Sequence, residues 1–125
     1  MTSANRPVRR RAPRLRIERT GNLRGRVART VTLLEISATG CLVRCEGRLV
    51  SGAIHDMEID LRDGDPAPLL AKVRVADASM DGASEETRSL AGLEFLGLPA
   101  VEDARLRRFL DHERRERRRA DAPAR

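Results

Sequence analysis

"LLEISATGCLVRC", residues 33–45, sets two apolar runs on either side of Ser37-Ala38-Thr39-Gly40. Small hydroxyl residues and glycine form turns, and the flanking runs carry the branched and apolar residues of strands. The stretch therefore reads as two β-strands joined by a tight turn. One residue in it asks for an explanation, because Glu35 puts a carboxylate just before the turn in a chain otherwise poor in reactive side chains.

Further strands lie on both sides. "LRIE" from Leu15 alternates, and "GRVARTVTLLEI" is rich in β-branched residues, with Gly21 and Gly25 as turn signals ahead of it. "GRLVSG" breaks the pattern after the serine turn. "AIHDMEIDL" then places Met57, Ile59 and Leu61 on one face and Glu58 and Asp60 on the other. After the turn "RDGDPAP", "LLAKVRVADAS" alternates Ala71, Val73 and Val75 with Lys72 and Arg74. A polar loop "MDGASEET" leads into "RSLAGLEFLG", where Ala91, Leu93 and Phe95 alternate.

Six short strands without an intervening helix predict an antiparallel sheet curled into a barrel or sandwich. The end of the chain changes period. Pro99 suits a first helical turn, Glu102 and Asp103 complement its positive end, and Leu106, Phe109 and Leu110 form an i, i+3, i+4 stripe. A helix from about Pro99 to Arg118 follows, its last turns almost wholly charged. The fold class is all-β with a C-terminal helix.

With 125 residues, the chain suits one compact domain. Phe95 and Phe109 are the only aromatic residues, so the core must be built from Leu, Val, Ile and Ala. The formal net charge of +6 comes from arginine concentrated at the two ends, and Lys72 is the only lysine. Residues 1–13 read as a flexible basic arm, 14–112 as the folded body and 113–125 as a charged tail. No apolar run is long enough for a membrane span or a secretory signal, so the expectation is a cytoplasmic protein without membrane insertion.

Cys41 and Cys45, four apart on one strand, stand roughly 13 Å from each other and cannot bridge. Free, buried thiols are expected, and with His55 and His112 isolated no metal site is expected either. No Ser/His/Asp or Cys/His set and no phosphate-binding glycine loop is present, so no enzyme is expected and no cofactor.

Three pieces stand in order: "RRRAPR" at the start, "EISATG" after the second strand, and "LAGLEFLGL" followed by a helix. Together they resemble the PilZ domain over roughly residues 9 to 112. The resemblance implies a six-stranded antiparallel β-barrel with a C-terminal helix that serves as a receptor for the bacterial second messenger cyclic di-GMP. The family's motifs are R-x-x-x-R, matched by Arg10 and Arg14, and [D/N]-x-S-x-x-G, matched by Ser37 and Gly40 with Glu35 in the acidic position. Arg9 adds a basic residue beside the pair, which in the family accompanies a stacked pair of ligand molecules. Glu35 is one methylene longer than the usual Asp.

The chemistry fits these residues. Arginine forks suit phosphates and the O6 and N7 acceptors of guanine. Guanine's opposite edge carries N1–H and N2 donors, for which Glu35 is the candidate acceptor and the Ser37 hydroxyl a second polar contact. Gly40 is expected to supply positive φ and a close backbone approach. The resemblance also implies that the domain signals by altered contact with an effector protein. Two other readings stand beside this one. In a PilZ-like protein–protein adaptor that has lost the ligand, Glu35 is a solvated strand-end residue paired to Arg44 or another arginine, and Ser37 only shapes the turn. A nonspecific nucleic-acid binder would use the basic ends, but the chain lacks the aromatic residues on which single-stranded bases stack.

Overall fold

The structure, a computed structural model, describes residues 13–25, 28–81 and 88–121. Six strands, β1 (Leu15–Arg24), β2 (Arg29–Ile36), β3 (Gly40–Glu46), β4 (Ile54–Ile59), β5 (Leu69–Asp81) and β6 (Arg88–Phe95), are followed by one helix, α1 (Ala100–Asp121). They close into a barrel in the order β1-β2-β3-β6-β5-β4, every neighbouring pair antiparallel. The closed barrel leaves no sheet edge among these six strands.

Alternation decides which side chains fill the barrel. On β6, Ser89, Ala91, Leu93 and Phe95 are buried while Leu90, Gly92 and Glu94 face outward. Met57 and Ile59 from β4 and Ala71, Val73 and Val75 from β5 join them inside. Leu61, in the chain leaving β4, is also wholly buried. Cys41 and Cys45 are free and lie in the same core. Burial pushes the Cys41 thiol up to about 12 and raises that of Cys45 against the opposing pull of Arg29, so both are held as neutral thiols.

One glycine behaves differently from its sequence expectation here. Gly21 is no turn residue but lies inside β1, opposite Val31 and Ile59. A Cβ there would come within 3.0 Å of the Glu58 carbonyl oxygen and of Leu33 Cδ1, so close packing requires the glycine. The turn falls after Arg24. The "GRLVSG" break and the "RDGDPAP" turn hold backbone in the left-handed region, at Gly47, Gly52, Arg62 and Gly64.

Helix α1 packs on the barrel beside β5 through Leu106, Phe109 and Leu110, all buried in the common core. It starts one residue after Pro99, whose carbonyl accepts a 2.8 Å bond from the Asp103 N–H, and runs three residues beyond Arg118. Two polar contacts fix its first half. Glu102 Oε2 accepts the Leu70 N–H at 2.7 Å, and the Arg105 fork grips Asp63 through Nε (2.9 Å) and Nη2 (2.8 Å). Arg105 Nη2 also donates to the Asp65 carbonyl at 3.3 Å. Among the described residues no helix is long and apolar enough to cross a membrane.

Candidate functional site

The stretch around Glu35 owes its geometry to an irregularity in β2. Val31 and Leu33 point into the barrel, and unbroken alternation would send the Glu35 carboxylate in after them. Burying an unpaired carboxylate costs several kcal/mol. The ladder avoids this with an extra residue: Leu33 pairs with Val43 and Glu35 with the next residue back, Leu42, so Leu34 has no counterpart on β3. On the other side, Ile17 and Glu18 of β1 share the space opposite Leu34. This bulge shifts the phase, so Ile36 is wholly buried and Glu35 comes to the outer surface.

Glu35 and Arg14 meet there. Their closest atoms, Glu35 Oε1 and Arg14 Nη1, are 3.5 Å apart, with the Arg14 side chain 59% exposed and that of Glu35 26%. The separation is attractive, yet Oε1 is shielded from solvent and has no hydrogen-bond partner among the described residues. A carboxylate with one covered, unbonded oxygen therefore sits beside an exposed guanidinium. Arg44, the partner for Glu35 that the adaptor reading named, lies on β3 opposite Thr32; the arginine that meets Glu35 is Arg14, within that reading's allowance for another arginine.

The turn that follows is held by its own groups. The Ser37 N–H donates to the Gly40 carbonyl at 2.8 Å, and the Ser37 hydroxyl accepts the Thr39 N–H at 3.1 Å and donates to the Gly40 carbonyl at 3.4 Å. Ser37 is only 7% exposed. Its hydroxyl thus shapes the turn beside Glu35. The turn is tied to β6 where the Phe95 N–H donates to the Thr39 carbonyl at 2.9 Å.

Gly40 departs from expectation. It is not among the glycines with positive φ. Its missing side chain faces β6, where a Cβ would stand 2.2 Å from the Leu93 carbonyl oxygen. The requirement is therefore close approach of two strands within the barrel wall rather than a left-handed turn or room for a ligand.

Arg9 and Arg10 lie outside the described residues, so of the arginines in the first motif only Arg14 is placed. The chain entering β1 is held by contacts the sequence reading missed. Arg114 Nη2 donates to the Pro13 carbonyl at 3.4 Å, and Arg117 donates to the Arg16 carbonyl. Arg19 lies over the Phe109 ring, 5.5 Å from its centroid, donates through Nε to the Leu61 carbonyl at 2.8 Å, and approaches Glu113 at 3.9 Å. The signal was present in the spacing, since Leu110, Arg114 and Arg117 continue one helical face at i, i+4, i+7.

The site thus offers an exposed guanidinium, a carboxylate with unused acceptor capacity and a rigid turn on the outer wall. It offers no reactive nucleophile, and among the described residues no three His, Cys, Asp or Glu side chains are grouped to hold a metal.

The model of the PilZ domain matches residues 8–112. The chain belongs to the PilZ domain family. No curated protein matches it. Among solved structures, the PilZ domain with c-di-GMP of YcgR from Escherichia coli is 20% identical with a TM-score of 0.69, covering 92% of this chain and 99% of that one. The K. pneumonia MrkH–c-di-GMP complex is 18% identical with a TM-score of 0.74, covering 90% of this chain but 56% of that one. The Bacillus subtilis inhibitor of motility MotI/DgrA is 21% identical with a TM-score of 0.67, covering 86% and 51%. The chain thus matches the whole of an isolated PilZ domain and about half of the longer proteins. At these identities the likeness establishes the fold: a six-stranded antiparallel barrel with a C-terminal helix, as the sequence resemblance implied.

Proposed function

We propose that this PilZ domain is a receptor for cyclic di-GMP, binding it on the outer wall where the Arg14 end of β1 meets the Glu35–Gly40 segment. The observation that carries the reading is the meeting of Arg14 and Glu35. Two positions twenty-one residues apart, each picked out by a different motif, stand 3.5 Å from each other with the arginine more than half exposed. Family membership supports the ligand class, as do the similar structures of YcgR and MrkH in complex with c-di-GMP.

In this reading Arg14, with Arg9 and Arg10 on the arm, supplies forked donors to the phosphates and the guanine acceptor edge. Glu35 accepts from the guanine N1–H and N2 amino group. Ser37 and Gly40 act from behind, one closing the turn and the other letting β3 lie against β6, and together they hold Glu35 in place. The function is binding without catalysis and needs no cofactor. Ligand binding changes the surface offered to an effector protein.

Calorimetric titration with cyclic di-GMP at moderate salt tests this, with GTP and cyclic di-AMP as controls. Saturable binding of cyclic di-GMP alone, lost in Arg14→Ala, is expected. No binding at millimolar ligand would sink the reading and put the adaptor function in its place. Equal binding of all three nucleotides, falling steeply with salt, would mark a generic polyanion surface instead.

A further inference from the structure

Gly92 is the outward-facing glycine of β6 for which the barrel itself gives no reason. A glycine inside a strand is destabilising by about 0.5–1 kcal/mol relative to alanine and is normally explained by positive φ, by crowding, or by close approach of another molecule. Positive φ does not apply, since Gly92 is not among the residues in that region. Crowding does not apply either, because a Cβ at Gly92 would meet no atom within 4 Å, in contrast to Gly21 and Gly40. A ladder irregularity does lie opposite, between Val75 and Asp77, but the extra residue is Ala76 of β5 and not Gly92.

Close approach remains, and the register says from where. Glu35 pairs with Leu42, Leu42 with Gly92, and Gly92 with Asp77, so these four positions form one row across β2, β3, β6 and β5. Arg16 of β1 extends the row beyond Glu35. At the usual strand spacing, Gly92 lies roughly 10 Å from Glu35 along this row. Between them, half-exposed Leu42 presents an apolar side chain. The row therefore runs from the exposed arginines through a carboxylate and an apolar side chain to a patch of bare backbone.

We propose that Leu42 and the bare backbone of Gly92 form the floor on which a guanine ring of the dinucleotide lies, making Gly92 a specificity-determining position of the binding face. This rests on the cyclic di-GMP reading of the same site. A flat aromatic ring gains contact area from a flat apolar floor, and its donor edge is then turned along the row toward Glu35. Any side chain at position 92 would stand up from the wall and lift the ring away. Asp77, exposed at the far end of the row, favours the donor-bearing ring over a phosphate at this position.

The open space around Gly92 gives a clean test, because a Cβ there meets no atom within 4 Å. Full-length Gly92→Ala and Gly92→Leu would be titrated with cyclic di-GMP beside the native protein, with thermal unfolding measured for all three. Gly92→Ala is expected to unfold no earlier than the native protein and to bind several-fold more weakly. Gly92→Leu is expected to bind at least tenfold more weakly. Native-like affinity in Gly92→Leu would overturn the inference while leaving the receptor reading intact. Should that variant fail to fold, native-like affinity in Gly92→Ala would overturn it equally. Absence of binding in the native protein would remove the receptor reading and this inference with it.

Discussion

Two of the arginine–carboxylate pairs on this barrel differ sharply in geometry and exposure. Arg105 and Asp63 join the helix to the loop after β4 through two bonds of 2.8 and 2.9 Å, with side chains 9% and 18% exposed. Arg14 and Glu35 approach only to 3.5 Å, and the arginine is open to solvent. The first has the planar, two-point geometry that makes arginine pairs strong. The second leaves both partners with unused hydrogen-bonding capacity. The same chemistry thus takes two forms: a closed pair fastens an element, while an open pair leaves its arginine exposed, as the proposed receptor reading requires.

The sharpest way to break this contrast is to remove the closed pair. Arg105→Ala would strand the Asp63 carboxylate against the helix and is expected to cost roughly 2–4 kcal/mol of stability in denaturant unfolding. A loss no larger than that of an ordinary surface substitution would show that the Arg105–Asp63 pair does not fasten α1.

The acid limb of stability gives a smaller signal from the same pair. The hydrogen bonds from Arg105 hold the Asp63 carboxyl below its ordinary value of 3.8, outweighing the opposing effect of burial. A carboxylate with a depressed folded pKa contributes stability that is fully present above its unfolded pKa and is lost as the pH falls through the folded value. The native protein should therefore lose stability below about pH 4 more steeply than Asp63→Asn. Parallel curves for the two proteins in that window would contradict the shift. Arg105, whose own pKa is raised further, stays charged throughout.

The two members of the open pair were singled out in the sequence, though not as partners of each other, and the members of the closed pair were not singled out at all. Glu35 stood out because it precedes a serine turn between two strands, and local spacing is what a sequence displays. Asp63 and Arg105 are forty-two residues apart, within a turn and a charged helix whose composition gives the same reading whether the groups are paired or solvated. The barrel strands were visible for the same local reason, since period-two alternation marks Met57, Ile59, Val73 and Leu93 directly. Gly21 and Gly40 were misread because a glycine needed for crowding looks, in one dimension, like a glycine needed for a turn. What separates the cases is the distance to a strand far off in sequence. The row from Glu35 to Gly92 was hidden for that reason too, since it exists only once the register of three strands is known.

Removing the open pair is expected to have the smallest effect on stability and the largest on binding. A single contact of 3.5 Å with an arginine 59% exposed is worth less than about 1 kcal/mol, because water screens the charges and the side chain regains its freedom on release. Arg14→Ala should therefore unfold at nearly the native denaturant midpoint while losing cyclic di-GMP in the calorimeter. Glu35→Gln sharpens the same point, since it keeps the shape of the side chain but replaces one acceptor oxygen with a donor facing the guanine donors. Its stability should stay near native while its affinity falls. If Arg14→Ala instead destabilised the barrel as much as Arg105→Ala, the pair would be a fastening after all, and its position beside the serine turn would reflect the needs of the fold. The two midpoints, compared in one experiment, decide which of these the exposed arginine serves.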